Sequence, residues 1–185
     1  MLPKADLYNG KNIYSFNQSR NYPMKFGCTN GRGACLGLAF HWMKMHKLGQ
    51  YIAFPSTMLL PGTIATVENL QAMDHRIISR ILHSTDLTIT MSNIITSDII
   101  ARVSQELAAS SYRYELMTFF NGPIGHAVVI ALNRPGIIFF DPNYGCTSFP
   151  CRKDFIDWFI NCYWTLDGGP GNPTPCFLFK ITGFF

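Results

Sequence analysis

The chain is 185 residues long, 48 % apolar and only 14 % charged. That composition excludes a disordered chain and supplies one real core, since a chain near this size hides roughly 70 % of its unfolded surface. The longest apolar run is the six residues Ala127–Leu132, too short to span a membrane. Fifteen Lys/Arg against eleven Asp/Glu give a net charge of +4 with no basic block, so nucleic acid is not an expected partner. The first 25 residues carry no apolar stretch of signal-peptide type, and Leu2 rather than Gly follows Met1. Neither a secretory signal nor an N-myristoylation start is expected.

Residues 1–32 read as loop with short extended pieces, punctuated by Asn9-Gly10, Tyr22-Pro23 and Asn30-Gly31. From Ala34 to Leu48, the side chains of Cys35, Leu38, Ala39, Trp42 and Met45 share one helical face, and Gly49 ends the helix. Residues 52–62, with Pro55 and Pro61, read as loop. A second helix is predicted over 64–82 on the stripe Ile64, Val67, Leu70, Met73, Ile77, Ile78 and Ile81. A third is predicted over 93–109, on Ile95, Ile99, Val103 and Leu107, with Ser92 as N-cap.

The character then changes to aromatic and β-branched residues. Strands are predicted over 112–119, 125–132 and 136–140, with Asn133-Arg134-Pro135-Gly136 as the turn between the last two. Those two are apolar on both faces and belong at the centre of a sheet. A short helix over 153–164 turns Phe155, Ile156, Phe159 and Ile160 inward, residues 167–175 form a Gly/Pro loop, and 176–182 a final strand. Helices first and then an antiparallel sheet predict an α+β fold, as a single domain over 1–185 with a loop-rich segment at 1–29.

The six cysteines, at 28, 35, 146, 151, 162 and 176, contain no CxxC pair. Neither a metal centre nor a disulfide framework is expected, and no cofactor motif is present. Three residues stand out by their settings. Cys35 follows a loop with Gly31 and Gly33 straight into the first helix, where unpaired N–H groups favour an anionic sulfur. His126 opens one central strand, and Asp141 closes the next after an apolar run, where an unpartnered carboxylate would be costly. A turn that pairs Leu132 with Pro135, or Ala131 with Gly136, sets His126 directly across from Asp141. A carboxylate holding one ring nitrogen leaves the other for a thiol. An oxyanion would find donors in the Cys35 N–H and the Asn30 amide, although Asn30 is equally a turn former before Gly31.

At these residues the sequence resembles the YopT/AvrPphB-type cysteine proteases, bacterial effectors with a papain-like fold. The matching pieces are Asn30–Cys35 with Leu38 and Trp42, then Gly125-His126-Ala127-Val128, then Phe139-Phe140-Asp141-Pro142-Asn143-Tyr144-Gly145. The resemblance implies a papain-like domain with helices packed on a central antiparallel sheet, Cys35 as nucleophile, His126 as base, Asp141 as its orienter and Asn30 as oxyanion donor. It implies a protein substrate, a chaperone or an immunity or inhibitor protein as partner, and secretion by a non-classical route to act in a host or target-cell cytoplasm. Other acyl-transfer enzymes share the trio: a deamidase or transglutaminase, an acetyltransferase or a peptidoglycan amidase. A non-enzymatic binding module is the remaining alternative, using Trp42, Trp158 and Trp164 as a surface, although aromatic residues such as these ordinarily fill cores.

Overall fold

A computed structural model describes residues 2–21, 34–58, 60–72, 87–95, 98–109, 113–121, 124–166 and 176–183. In chain order the elements are β1 (Lys11–Ser15), α1 (Gln18–Asn21), α2 (Cys35–Lys47), α3 (Phe54–Thr57), α4 (Pro61–Ala72), β2 (Leu87–Ile95), α5 (Ile99–Ala109), β3 (Tyr114–Asn121), β4 (Ile124–Asn133), β5 (Gly136–Asp141), β6 (Gly145–Phe149), α6 (Arg152–Trp158) and β7 (Cys176–Gly183). A π turn, Phe159–Tyr163, continues α6. Among the described residues the strands form one seven-stranded antiparallel sheet in the order β1-β6-β5-β4-β3-β7-β2. The α+β expectation holds, and the doubly apolar β4 and β5 lie inside the sheet with β4 at its middle.

The sheet separates two apolar layers. On one face α2 packs with α4 and Phe54 against Leu116, Ala127, Val129, Ile138 and Phe140. Trp42 stacks on Phe140 with ring centroids 5.2 Å apart and planes 2° from parallel, and its indole N–H donates to Tyr14 Oη at 2.7 Å. On the other face Phe155, Trp158 and Tyr163 surround Phe139, with Val128, Ile130, Val103 and Leu107. Trp42, Trp158 and Trp164 are therefore core residues, as aromatic side chains of this size usually are.

Helix α2 ends as its sequence predicts. Gly49 takes φ of +72°. The N–H of Gly49 reaches His46 O at 3.0 Å and that of Gln50 reaches Met45 O at 2.8 Å, a Schellman closure that favours glycine.

The expectations over 52–62 and 93–109 need correction. Residues 51–57 coil into short helical turns around the buried Phe54, and α4 starts at Pro61, where a proline fits the first helical turn. The described part of the second helix is Pro61–Ala72, and the remainder of its predicted span lies outside the described residues. Residues 93–95 are strand rather than helix, and Ser92 lies within β2 opposite Phe179. Leu87-Thr88-Ile89-Thr90-Met91-Ser92 alternates with period two, and pairing with β7 overrides the period-four reading from Ile95. The third helix is Ile99–Ala109, with Val103 and Leu107 buried.

The β4–β5 register also differs from the expected one. Asn133 pairs with Gly136 and Val129 with Phe140, so the turn closes on Arg134-Pro135. Proline has no N–H to give a ladder, so it occupies the turn rather than the position opposite Leu132. The register moves by two residues. Continued, it sets Asp141 beside Val128, and His126 lies diagonally from Asp141 on the same face instead of directly opposite. An even shift preserves the face, and for that reason the two side chains still meet.

Two imidazoles of α2 are built into the first layer. Neither ring nitrogen of His41 has a hydrogen-bond partner, and His46 Nδ1 lies 2.9 Å from Tyr114 Oη. Burial, reinforced by Lys44 at His41 and by Arg113 at His46, pulls each down to about 4. In the unfolded chain they take up protons near pH 6.5, so the unfolded state binds more protons between that pH and 4 and stability falls as pH drops through this window. Urea midpoints at pH 7, 5.5 and 4.5 are expected to decline, and His41→Leu is expected to flatten part of that slope. A slope unchanged in the variant would remove His41 as a source.

Candidate active site

Cys35 is the first residue of α2, after Ala34 as N-cap. It is 7 % exposed, and its thiol donates to the carbonyl of Gly125 at 3.8 Å. That contact brings the start of the helix to the entry of β4, beside His126. Residues 127 and 129 of β4 face α2, while 128 and 130 face the opposite layer. By the same alternation His126 belongs with the layer of α6. The thiol and the imidazole come from opposite faces and meet at the end of the sheet, because Cys35 is the first residue of α2 and His126 the third of β4, beyond its last pair with β5.

The His126 side chain is 10 % exposed and its Nε2 lies 2.9 Å from Asp141 Oδ1. The Phe119 ring stands edge-on to it, with centroids 5.4 Å apart and planes at 74°. With Nε2 held by the carboxylate, Nδ1 is the nitrogen left for the thiol. Burial alone would lower the basicity of this imidazole. The charge and hydrogen bond of Asp141, with a smaller contribution from Cys35, outweigh it and lift His126 to about 10.

Asp141 is fully buried, and its oxygens are matched by donors. Oδ1 also accepts the N–H of Asn143 at 2.7 Å, and Oδ2 accepts the Tyr163 hydroxyl at 2.5 Å. The turn carrying that N–H is closed by Tyr144 N–H on Asp141 O at 3.0 Å, and Gly145 takes φ of +107°. A Cβ at Gly145 would meet Tyr14 O at 2.3 Å, which accounts for glycine at the end of the Asp-Pro-Asn-Tyr-Gly run. From α1's side, Gln18 Nε2 donates to Asn143 Oδ1 at 2.7 Å. Burial, then the Asp141 charge, pushes the Tyr163 phenol well up, so it remains a donor.

Three of the four predicted site residues thus come together. The fourth, Asn30, lies outside the described residues, as do Gly31 and Gly33. The sequence reading missed Tyr163, Asn143 and the Gly125 carbonyl. Asn143 and Gly125 act through backbone groups, which no residue type announces. Tyr163 was hidden by the period of its helix: Phe155 and Phe159 are buried as predicted, but Ile156 and Ile160 are only half-buried, and Trp158 and Tyr163 fill the inward positions.

A peptidase family model, described as Yersinia/Haemophilus virulence surface antigen, matches residues 65–173, a span that contains His126 and Asp141 and begins after Cys35. The cysteine protease yopT1 of Yersinia enterocolitica is 24 % identical over 163 residues, covering 72 % of this chain and 50 % of that protein. The cysteine protease YopT of Yersinia pestis is 23 % identical over 162 residues, again covering 50 % of its own length. The chain therefore spans about half the length of these curated relatives. Among solved structures, the Pseudomonas avirulence protein AvrPphB superposes with a TM-score of 0.61 at 18 % identity, over 83 % of this chain and 93 % of that one. PatoxP, a cysteine protease-like domain of the Photorhabdus asymbiotica toxin PaTox, gives 0.57 at 10 % identity, over 97 % and 58 %. The fold is the papain-like one expected from the sequence.

Proposed function

The chain belongs to the peptidase family described as Yersinia/Haemophilus virulence surface antigen, and from that premise we propose that it is a cysteine protease acting on a protein substrate, with Cys35, His126 and Asp141 as its triad. The observation that carries this reading is the His126 Nε2–Asp141 Oδ1 bond of 2.9 Å, made beside a thiol at the start of a helix. In the proposed reaction His126 Nδ1 holds the proton given up by Cys35, and the sulfur attacks the scissile carbonyl as the thiolate. The imidazolium then protonates the leaving amine, and water activated by the same nitrogen releases the acyl group from sulfur. Asp141 holds the ring and balances its charge throughout. The Cys35 N–H at the start of α2 is one oxyanion donor, and Asn30 is our second.

The names of the relatives, virulence antigen, avirulence protein and toxin, support delivery from a bacterium to act inside a host or target cell. A chaperone or an immunity or inhibitor protein is our proposed binding partner. Among the described residues no helix is long and apolar enough to cross a membrane.

The test is a comparison of proteomes from candidate target cells treated with wild type or with Cys35→Ala. New N-termini that appear only with wild type are expected. Ammonia release from glutamine without new N-termini would replace the protease reading with deamidation, and acyl-CoA-dependent labelling of Cys35 would replace it with acyl transfer.

A further inference from the structure

We propose that Tyr163 is a positioning residue of the triad, holding Asp141 so that His126 stays aimed at Cys35, and that the π turn of 159–163 exists to bring it there. The inference rests on the triad reading above.

Asp141 is a fully buried carboxylate whose two oxygens have different tasks. Oδ1 is shared by His126 Nε2 and the Asn143 N–H, at 2.9 and 2.7 Å. Oδ2 takes the Tyr163 hydroxyl, at 2.5 Å. Rotation about the Cβ–Cγ bond would swing Oδ1 away from the imidazole, and the two bonds on Oδ1 resist it at that oxygen alone. The phenol anchors the second oxygen from the far side, and it does so from a rigid base. Tyr163 is fully buried, its ring packs on Phe139 with centroids 5.0 Å apart, and it stacks on Phe159 at 5.2 Å.

The helix geometry is what makes the hydroxyl reach. The inward stripe of this segment begins at Phe155 and Phe159. At about 100° per residue an ordinary α-helix would carry Tyr163 roughly 80° away from the direction of Phe155. Over Phe159–Tyr163 the chain instead makes π turns, with Trp164 N–H bonding Phe159 O at 2.8 Å. The wider turn advances only about 80° per residue and returns Tyr163 roughly to the line of Phe155. Single π turns within helices recur at functional sites. Here the one described directs a phenol at the carboxylate of the site.

The readout is the rate at which iodoacetamide alkylates Cys35 at pH 6, which needs no substrate. Tyr163→Phe is expected to slow it about tenfold, the scale of one hydrogen bond to a buried charge. In a double-mutant cycle, Tyr163→Phe in an Asp141→Ala background is expected to add nothing, because the phenol acts only through Asp141. The low-field Nε2–H proton signal of His126 is expected to move upfield in Tyr163→Phe. If that variant does not fold, fluorinated tyrosine placed at 163 keeps the shape and changes only the phenol acidity. The alkylation rate should then follow that acidity when Asp141 is present and ignore it in Asp141→Ala. A fast Cys35 that is indifferent to these changes, or a cycle in which the two losses multiply, would overturn the role of Tyr163 alone. A wild-type Cys35 that reacts no faster than Cys151 would remove the triad and this inference together.

Discussion

Cys35→Ala and His126→Ala are each expected to abolish turnover, with losses on the order of 10⁵–10⁶ in rate, because nucleophile and base act as one unit and removal of either leaves only binding and oxyanion stabilisation. The corresponding chemical signature is selective alkylation. With His126 lifted to about 10 by Asp141 and Cys35, the imidazole carries its proton across the neutral range and sets a cation beside the sulfur. Iodoacetamide near pH 6 should therefore label Cys35 far ahead of the other five cysteines, while burial pushes the Cys146 thiol up and slows it. In His126→Ala the advantage of Cys35 should vanish. The two variants differ in their cost to folding. Cys35→Ala removes one sulfur and should cost about 1 kcal/mol or less, below the range for deleting a whole buried aliphatic side chain. His126→Ala breaks a buried pair and should cost about 3 kcal/mol, the low end for such a break, since the Asn143 N–H and Tyr163 hydroxyl still hold Asp141. Peptide mapping after timed alkylation, with circular dichroism to verify folding, decides the matter. Uniform slow labelling of the six would exclude Cys35 as nucleophile.

The parts of the molecule that were legible in the sequence share one property: their local and tertiary preferences agree. Helix α2 has an apolar face, a glycine that can take positive φ and a cysteine at its start. The strands around Val128 and Phe139 are apolar on both faces because both faces are covered. Elements with divided preferences were misread. Ile95, Ile99, Val103 and Leu107 are spaced for one helix, yet Ile95 belongs to a strand. It meets Val103 and Leu107 in the same apolar layer only through folding, so spacing alone joined two elements. The sheet edges come from the early strands β1 and β2, whose partners β6 and β7 lie far along the chain, and local pattern does not carry such pairings. At the site, residue types announced the thiol, the imidazole and the carboxylate. The diagonal meeting of His126 and Asp141 depended on where a proline closed a turn, and the phenol depended on a change of helical pitch.

Asp141→Asn tests whether the carboxylate works by charge or merely fills a strand end, and the donors around it make the expected result specific. The carboxylate accepts from three groups, two on Oδ1 and one on Oδ2. An amide offers one acceptor oxygen and one NH₂, so it cannot serve all three. If its NH₂ replaced Oδ1, it would meet both the Asn143 N–H and the His126 Nε2–H. Relief would require the other tautomer of His126, with its proton on Nδ1 toward the thiol, where it cannot act as base. The favoured orientation therefore places the oxygen at the Oδ1 position and the NH₂ against Tyr163, whose hydroxyl turns to accept. Geometry is then largely kept and the charge is gone. Burial, the largest influence on His126 and opposed chiefly by Asp141, then dominates and draws the imidazole below its ordinary value. The cation beside Cys35 is lost at pH 6. Turnover is expected to fall by about 10²–10⁴, and alkylation of Cys35 at pH 6 should fall with it. The native state loses the charge-supported part of its hydrogen bonds, about 1.5–3 kcal/mol for bonds of this kind, which thermal melting should register as a lowered midpoint of a still cooperative transition. A variant that melts lower but keeps wild-type turnover and alkylation would make Asp141 a structural carboxylate and leave His126 to be oriented by Phe119 and the strand alone.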